Sequence, residues 1–381
     1  MKLLLLISRL RRSGPVIGLL TLSQRLLHLG ITPRILALSE EYRDSMEEEF
    51  RSEGLRVDVL SCRRFDLIGA VSALRGFLRR VQPAIVHSTG IRSDVLLPLT
   101  RRWERSPALI STVQSRNEEL SFSFGRCQGA MLARAWTQSL KRFDAVASLS
   151  LGVQHFLEDY RVPRDRLHLI YNGADLNRFR PPKGDERAAA RAALGISPET
   201  VVVGRVGHLT ELKGVDVLLA AFSRLRNDRT VLLSVGDGPE REHLTRLATQ
   251  LGVQSRVLWA GRRTDVLPFL HAMDVFVMSS WTEGMPRALL EAGAAAVPAI
   301  VTDVSGCREV MTDCDGGVVV PPGDVEALSG ALSFLIDIGE SRRLLGARLR
   351  NRVESKFSAD AMAKGYIGVY TSLFQQAGRA K

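Results

Sequence analysis

The sequence predicts an α/β protein built from two doubly wound parallel sheets that face each other across a cleft. Short apolar segments alternate with helical segments along the chain, as strands and crossover helices do in a parallel sheet. A turn-rich stretch at 172–184 interrupts the alternation, which then restarts. The 381 residues, 45% of them hydrophobic, suit two cores better than one. We therefore expect a first domain at 1–175, a second at 176–358, and a helical segment at 359–381 that packs back on the first.

The first half is predicted to contain seven short apolar strands separated by helices. The strands are expected over Lys2–Ile7, Arg34–Ser39, Val57–Leu60, Ala84–His87, Leu109–Thr112, Ala145–Ser148 and Leu167–Ile170. The helices are expected over Leu19–Leu29, Val71–Val81, Asp94–Thr100, Ala130–Arg142 and Gly152–Tyr160. Ser13–Gly18 is expected as a glycine-containing loop, and Gly30 is expected to end the first helix.

The second half repeats the alternation and ends on a helix. The strands are expected over Val201–Val206, Val231–Val235, Val257–Trp259, Asp274–Met278, Ala299–Val301 and Val318–Val320. The helices are expected over Glu186–Leu194, Val215–Leu225, Glu240–Leu251, Val266–Ala272, Pro286–Ala296, Val325–Ile338 and Ala359–Gln375. Pro286 is expected at the first helical position, where the missing N–H of proline costs nothing.

The net charge of +11 is concentrated in the first half of the chain. Residues 1–170 carry 26 Lys+Arg against 17 Asp+Glu. Such a bias suggests nucleic acid, anionic lipid or an acidic substrate, although solubility alone can also explain it. Because the aromatic content is 6% and no nucleic-acid motif is present, we expect no nucleic-acid partner.

Cysteine usage and the apolar runs indicate a cytoplasmic protein. The four cysteines are scattered, are too few for a disulfide scaffold, and form no zinc-ligand spacing with histidine. No stretch approaches the roughly 18 apolar residues of a membrane span. The apolar run Leu3–Ile7 is too short for a signal peptide and is followed at once by arginines, so we interpret it as a buried strand.

Two glutamates occupy one predicted strand–loop–helix–strand unit at 279–309. Glu283 lies in the loop, next to a helix start whose N–H groups can receive phosphate. Glu291 is the only carboxylate in an otherwise apolar helix. Arg287 lies four residues before Glu291, so a simple helix-surface ion pair would also explain both charges.

Glycine-rich turns follow three other predicted strands. The segment 203–214 contains two glycines after a strand and Lys213 before a helix, which is suitable for close approach to a phosphate. Gly236–Pro239 and Gly261–Arg263 follow the next two strands, at the edge where open parallel sheets bind ligands. Ordinary turn chemistry explains each segment taken alone. The chain contains neither a Walker loop nor a G-x-G-x-x-G fingerprint.

Taken together and in order, these segments resemble the family 4 retaining glycosyltransferases, which have the two-domain GT-B architecture of Rossmann-like folds. The resemblance covers roughly residues 145–375. It comprises Asn172–Asp175 with Phe179, Gly207–Gly214, Gly236–Pro239, Gly261, Asp265–Val266, Asp274–Val277, the paired glutamates Glu283 and Glu291, Gly306 with Glu309, and Pro321–Asp324.

The resemblance implies a nucleotide-sugar site in the second domain and an acceptor site in the first. Glu283 is expected to meet the donor sugar, Glu291 the ribose, and Lys213 the diphosphate leaving group. The remaining residues expected to bind substrate are Gly14, His87, His208, Gly238, Pro239, Gly261, Arg262, Gly284, Met285, Pro286 and Arg287. The family needs no metal, so no cofactor is expected, and we do not interpret Asp313–Asp315 as a metal motif.

The chain departs from the family pattern at four positions. His208 stands where the family usually has arginine, and Arg205 is not expected to replace it. Pro15 replaces a glycine and removes one N–H donor. Ala296 replaces a usual glycine after the paired-glutamate helix. Gln114 replaces a first-domain histidine; it can hydrogen-bond a hydroxyl but cannot relay a proton.

We expect a cytoplasmic, retaining, metal-independent hexosyltransferase that moves a sugar from a nucleoside-diphosphate sugar, with UDP preferred. Its acceptor is expected to be a lipid-linked or cell-surface glycan, and Gln114 is expected to serve in catalysis in place of histidine. His87 is the other cleft candidate, with a buried structural histidine as the alternative. A non-catalytic nucleotide-sugar-binding protein is the alternative function. The basic helices at 71–81 and 130–142 suggest docking on an anionic membrane, unless their apolar faces simply cover the sheet.

Overall fold

The structure is a computed structural model that describes residues 2–42, 44–63, 66–101, 107–114, 125–225 and 229–379. It divides into two compact units, each with its own core. Unit 1 combines Met1–Gly173 with Ala359–Lys381, and unit 2 is the continuous segment Ala174–Ser358.

Unit 1 is built on a seven-stranded parallel sheet. The strands are β1 (Leu3–Ile7), β2 (Arg34–Ala37), β3 (Arg56–Val59), β4 (Ile85–Thr89), β5 (Ala108–Val113), β6 (Ala145–Ser148) and β7 (Leu167–Leu169). Their order is β3-β2-β1-β4-β5-β6-β7. Side chains of β1 alternate between two separate core clusters, Leu3 and Leu5 in one and Leu4 and Leu6 in the other. Both faces of the sheet are therefore buried, which explains why β1 is continuously apolar.

Seven helices of unit 1 are described. They are α1 (Gly14–His28), α2 (Glu47–Ser52), α3 (Leu67–Val81), α4 (Ile91–Leu96), α5 (Arg126–Leu140), α6 (Leu151–Asp159) and, from the end of the chain, α15 (Ala359–Arg379). Met362, Tyr366 and Tyr370 of α15 belong to the core cluster on one face of the sheet.

Unit 2 is a six-stranded parallel sheet with helices. The strands are β8 (Val201–Val206), β9 (Thr230–Val235), β10 (Val257–Gly261), β11 (Val275–Met278), β12 (Ala299–Thr302) and β13 (Gly317–Val320), in the order β10-β9-β8-β11-β12-β13. The helices are α7 (Glu186–Ala193), α8 (Val215–Ser223), α9 (Arg241–Gln250), α10 (Leu267–Ala272), α11 (Arg287–Ala294), α12 (Ser305–Met311), α13 (Val325–Asp337) and α14 (Arg342–Lys356).

The predicted alternation of strands and helices is confirmed, with corrections at α1 and at three helices that were not predicted. The expected loop Ser13–Gly18 is wrong: helix α1 begins at Gly14, and Pro15 sits in its first turn, where proline fits because the first N–H groups have no partner within the helix. The unpredicted helices are α2, α12 and α14. In α14 only Gly346, Leu349 and Val353 are buried, so its apolar stripe is too sparse to be recognised. Within the described ranges, no helix has both the length and the apolarity that crossing a membrane requires.

Candidate active site

The strand order of unit 2 creates a crevice between β8 and β11. From β8 the chain proceeds outward to β9 and β10, and then returns to the other side of β8 to form β11, β12 and β13. Loops that leave two neighbouring strands in opposite directions open a crevice at the carboxyl end of a parallel sheet. Lys213 lies in the loop after β8, and Glu283 lies in the loop after β11.

Lys213 and Glu283 meet at this crevice. The Lys213 Nζ donates to Glu283 Oε1 at 2.7 Å, and the same oxygen accepts a hydrogen bond of 2.7 Å from Ser280 Oγ. The Glu283 side chain is 10% exposed and that of Lys213 is 30% exposed. The pair is therefore held in place while the Lys213 side chain remains partly open to solvent.

Four glycines bring the surrounding loops into direct backbone contact. A β carbon built on each glycine would lie 2.0–2.2 Å from a carbonyl oxygen of another loop. The pairs are Gly214 with Ser279, Gly236 with Gly207, Gly238 with Leu209, and Gly306 with Gly284. Any side chain at these positions would push apart the loops after β8, β9, β11 and β12, so the glycines set the shape of the crevice.

Glu291 and Arg287 form the ion pair that the sequence left open as an alternative, but it is not a solvated surface pair. Arg287 Nη2 lies 3.6 Å from Glu291 Oε1, and each side chain is 12% exposed. Burial raises the pKa of the Glu291 carboxyl, while the charges of Arg287 and Arg178 act in the opposite direction. A carboxylate kept in such a position retains acceptor capacity for a hydroxyl group.

The start of α11 corrects the expectation for Pro286. Pro286 occupies the N-cap rather than the first helical position, and the helix begins at Arg287. Gly284, Met285 and Pro286 are buried, and Gly284 and Met285 pack against Gly306 at the start of α12. The backbone of this segment leads directly into the helix N-terminus.

The other predicted binding residues of unit 2 lie on the loops after β8, β9 and β10 or, for Gly261, at the end of β10 itself. His208, Pro239 and Arg262 are exposed, while Gly238 and Gly261 are partly buried. The Gly236 N–H donates to the Gly261 carbonyl at 2.8 Å, which joins the last two of these loops.

No role was expected for Arg205, yet it lies beneath the His208 loop with its guanidinium group buried. Its Nη2 donates to the His208 carbonyl oxygen at 3.3 Å. Burial lowers the pKa of Arg205 to about 10, and the charge of Glu283 opposes that shift. The sequence carried one signal for it, a charged residue inside the predicted strand Val201–Val206.

Unit 1 holds the three remaining predicted residues, and one of them is corrected. His87 is buried within β4: its Nδ1 contacts Tyr370 Oη at 2.7 Å and its Nε2 contacts Thr112 Oγ1 at 2.6 Å. Both ring nitrogens are thus occupied inside the core, and burial lowers the histidine pKa to about 3. His87 is a structural residue, as the alternative stated, and not a residue open to substrate.

Gly14 and Gln114 are more accessible. Gly14 is exposed at the start of α1. Gln114 directly follows β5 and is partly buried. Most of the loop after Gln114, residues 115–124, lies outside the described residues.

Comparison with known families matches both halves of the chain. The profile of the Glycosyl transferases group 1 family matches residues 197–337, and that of Glycosyltransferase Family 4 matches residues 12–178. The first match contains Lys213, Glu283 and Glu291, and the second contains Gln114.

Some similar proteins align with about half of this chain, and others align with nearly all of it. The lipopolysaccharide core biosynthesis glycosyltransferase LpsE of Rhizobium meliloti (strain 1021) is 36% identical over 185 residues, which cover 49% of this chain and 54% of that protein. The O-antigen biosynthesis glycosyltransferase WclY of Escherichia coli is 23% identical over 380 residues, 99% of each chain. The chain thus spans about half the length of LpsE and nearly all of WclY.

A solved structure shows the same fold. Anabaena Alr3699/HepE in complex with UDP and glucose has a TM-score of 0.86, with 98% of this chain and 100% of that chain covered. The sequence identity is 18%, so this likeness concerns the fold.

Proposed function

Because the chain belongs to the family 4 glycosyltransferases of GT-B architecture, we propose that it transfers a sugar from a nucleoside-diphosphate sugar to a glycan acceptor with retention of configuration. The observation that carries the proposal is the Lys213–Glu283 pair at the β8/β11 crevice. An ammonium group beside a carboxylate suits a ligand that joins a diphosphate to a sugar: the first group can neutralise phosphate, and the second can accept from hydroxyl groups.

In this proposal the donor lies along the loops of unit 2. Lys213 meets the diphosphate, Glu283 the sugar hydroxyls and Glu291 the ribose, while the backbone of 284–287 faces phosphate or sugar at the start of α11. Gly238, Pro239, Gly261 and Arg262 hold the base, with His208 beside the phosphates. UDP is the preferred nucleotide, supported by the UDP and glucose bound to HepE, which shares the fold.

The proposed chemistry rests on charge placement. The bond from the anomeric carbon to the diphosphate oxygen breaks, and the leaving group is stabilised by Lys213 and by backbone N–H groups. Such preorganised charges and dipoles are usually the largest single contribution to catalysis. No metal is included, because these groups supply the positive charge. Gln114 is proposed to orient a donor hydroxyl group, and the acceptor attacks on the face that the leaving group vacates.

The acceptor is proposed to be a lipid-linked or cell-surface glycan bound by unit 1. LpsE and WclY are named for lipopolysaccharide core and O-antigen biosynthesis, which supports this class of acceptor.

A non-catalytic nucleotide-sugar-binding protein is the second candidate, favoured by Gln114 and His208 at positions where the family usually has histidine and arginine. The test is incubation of the purified chain with a panel of radiolabelled nucleotide sugars, followed by separation of released sugar and nucleotide. We expect hydrolysis or transfer with one donor, abolished in Lys213→Ala. Binding of a donor without any turnover across the panel, with and without lipid-linked glycan acceptors, would support the second candidate instead.

Peripheral association with the cytoplasmic face of a membrane is also proposed, on a basis different from the predicted one. The apolar residues expected to face lipid in α3, Leu74, Phe77 and Leu78, are buried in the core of unit 1, so that face covers the sheet. Leu67 and Ile68 at the start of α3 are exposed instead, and Arg79 and Arg80 near its end are exposed. Exposed apolar groups at one end of a helix and exposed arginines at the other are both groups that an anionic lipid surface can bind.

Sedimentation with liposomes tests this association. We expect binding to vesicles with anionic lipid, weaker at high salt and weaker in Leu67→Ser/Ile68→Ser. A matched control is Leu344→Ser, at an exposed leucine of unit 2. If the protein stays in the supernatant with both anionic and neutral vesicles at low salt, the proposal is wrong.

A further inference from the structure

Arg205 is placed under the crevice by the alternation of side chains along β8. Val203 and Arg205 are two residues apart and therefore share one face of the sheet, and Val203 belongs to the core of unit 2. Arg205 continues this face toward the carboxyl end of the strand, with Ser234 as its neighbour in register on β9. Its side chain is 5% exposed although it carries a charge.

The guanidinium group of Arg205 is only partly satisfied. Nη2 donates to the carbonyl oxygen of His208. Nη1 is buried and has no hydrogen-bond partner among the residues that the structure describes. A β carbon built on Gly207 would lie 2.9 Å from Nη2, so the loop that passes over the guanidinium group presents backbone to it without a side chain in between.

A second buried arginine in the same unit shows how such a group is normally accommodated. Arg191 is 6% exposed, and its donors are directed at the carbonyl oxygens of Ala272, Pro198 and Thr200 and at the carboxylate of Asp274. Buried charges are costly unless they are paired and hydrogen-bonded. Arg191 meets this requirement from the protein alone, whereas Arg205 has no carboxylate partner among the described residues.

Among the described residues, Glu283 is the carboxylate whose charge acts on Arg205, and Lys213 and Ser280 already engage it. Two basic side chains, Arg205 and Lys213, thus share the charge of one carboxylate, Glu283. An anionic ligand in the crevice would balance this charge and would give Nη1 an acceptor. Arginine suits phosphate particularly well because its planar fork can form two parallel hydrogen bonds.

We propose that Arg205 is a binding residue for the diphosphate group of the donor, with Nη1 donating to a phosphate oxygen from beneath the His208 loop. The inference rests on the proposed function and deepens it. It assigns to a residue inside β8 the guanidinium contact that His208 cannot provide.

Calorimetric titration with UDP, together with NMR titration with uridine, separates a phosphate contact from general damage to the site. In Arg205→Met we expect UDP affinity to fall at least about tenfold, as for loss of a charged hydrogen bond, and uridine affinity to stay unchanged. Arg205→Lys retains the charge without the fork and is expected to give a smaller loss for UDP. His208→Arg in the Arg205→Met background returns a guanidinium group to the same loop and is expected to recover affinity for UDP.

Arg191→Met is the matched control, because it removes a buried arginine of unit 2 that has its own partners. It is expected to lower the melting temperature without changing the ratio of UDP to uridine affinity. If Arg205→Met leaves UDP affinity unchanged, or lowers the affinities for UDP and uridine equally, the proposal is wrong. If Arg205→Met does not fold, the affinities for UDP and uridine are compared in Arg205→Lys instead.

Failure of the proposed function would look different in this experiment. In that case the wild-type chain would bind neither UDP nor GDP, and Arg205 would have no diphosphate to contact. Wild-type binding of UDP together with an unaltered Arg205→Met would overturn only the role of Arg205.

Discussion

At the scale of single residues, substitutions of Glu283 and Glu291 are expected to impair different properties, turnover in the first case and UDP affinity in the second. Among the described residues, the ion pair of Glu291 with Arg287 is long, with 3.6 Å between Arg287 Nη2 and Glu291 Oε1. Glu291 is proposed to hold the ribose. Glu291→Gln should therefore weaken UDP binding by about 1.5–3 kcal/mol. Glu283 already binds Lys213, so Glu283→Ala leaves the local charge more positive. It should lower turnover strongly while UDP affinity is kept or increased.

Calorimetry with UDP and the donor-hydrolysis assay measure the two effects separately. Glu340→Ala removes a carboxylate of unit 2 whose side chain is 88% exposed, and it should change neither quantity. Full UDP affinity in Glu291→Gln would contradict the assignment of the ribose contact.

Ala296 gives a second prediction at this scale, for stability. It follows α11 with φ of +58°, in the left-handed region where a β carbon is unfavourable. Ala296 stands where the resembled family usually has glycine, and its backbone conformation gives that difference a physical cost. Ala296→Gly should stabilise unit 2 by roughly 0.5–1 kcal/mol. Urea unfolding measures the change in the free energy of unfolding. The control is Ala295→Gly, at φ of −80°, which should not stabilise unit 2. Equal effects of the two substitutions would rule out this explanation.

A site residue could be identified from the sequence only where its immediate neighbours in the chain made it conspicuous. Lys213, Glu283 and Glu291 stood beside glycines or in an apolar helix, so their charge was conspicuous. The contact between Lys213 and Glu283 was not predictable from spacing, because strand order brings together positions 70 residues apart. Arg205 was not expected to take part because it lies inside a predicted strand, and the sequence does not reveal that the loop after it folds back over the guanidinium group.

At the scale of elements, strands were predicted more reliably than short helices. A strand buried on both faces is a continuous apolar run, as in β1 and β11, and is conspicuous in the sequence. Helix α2 has six residues with one buried, Phe50, and offers no periodic pattern. Helix α12 begins with Ser305 and Gly306, which are weak helix formers.

The last helix, α15, and its packing against the first domain were predicted, but its individual side-chain contacts with β4 and β5 were not. The Tyr370 hydroxyl contacts Nδ1 of His87, and the Tyr366 hydroxyl contacts Oγ1 of Thr112, both at 2.7 Å. Thr112 Oγ1 in turn contacts Nε2 of His87. The two tyrosine contacts join residues more than 250 positions apart in the chain, so no local pattern could indicate them. They tie α15 to β4 and β5.

The buried histidine in this network predicts a pH dependence for unit 1. In the folded state the pKa of His87 is lowered to about 3 by burial, so the unfolded chain binds a proton here below about pH 6.5 that the folded chain does not. Its stabilising contribution is present above pH 6.5 and is lost as the pH falls toward 3. His87→Gln should therefore destabilise unit 1 at pH 7 and cost less at pH 4.5. Hydrogen exchange of β4 and β5 measures both values.

Asp94 provides a control of opposite sign. Its carboxyl is buried, accepts from Ser88, Ser111 and Trp136, and has its pKa raised to about 6. The folded chain thus keeps a proton on Asp94 that the unfolded chain releases above about pH 4, so this contribution is lost as the pH rises toward 6. Asp94→Asn should therefore cost more at pH 4.5 than at pH 7. An equal cost of His87→Gln at both pH values would contradict the role of the buried histidine.

At the scale of the whole molecule, the two units differ in how the chain builds them. Unit 2 is one continuous segment with its own core, and every residue proposed to bind the nucleotide lies within it. Unit 1 needs both ends of the chain, because Met362, Ala363, Tyr366 and Tyr370 of α15 complete its core. A fragment of residues 1–173 would expose that apolar face and should not fold, since each large buried side chain contributes about 1.5–3 kcal/mol.

The fragment of residues 174–358 should therefore fold alone and bind UDP without transferring sugar. Circular dichroism and cooperative urea unfolding would establish that it folds, and calorimetry would compare its UDP affinity with that of the full chain. We expect the two affinities to agree within about 1.4 kcal/mol, a factor of ten. Glu291→Gln in the fragment should weaken UDP binding as it does in the full chain, which ties the affinity to the same site. A folded fragment with no measurable affinity for UDP, alongside a full chain that binds it, would mean that nucleotide binding requires residues of unit 1. The assignment of the nucleotide site to unit 2 alone would then be wrong.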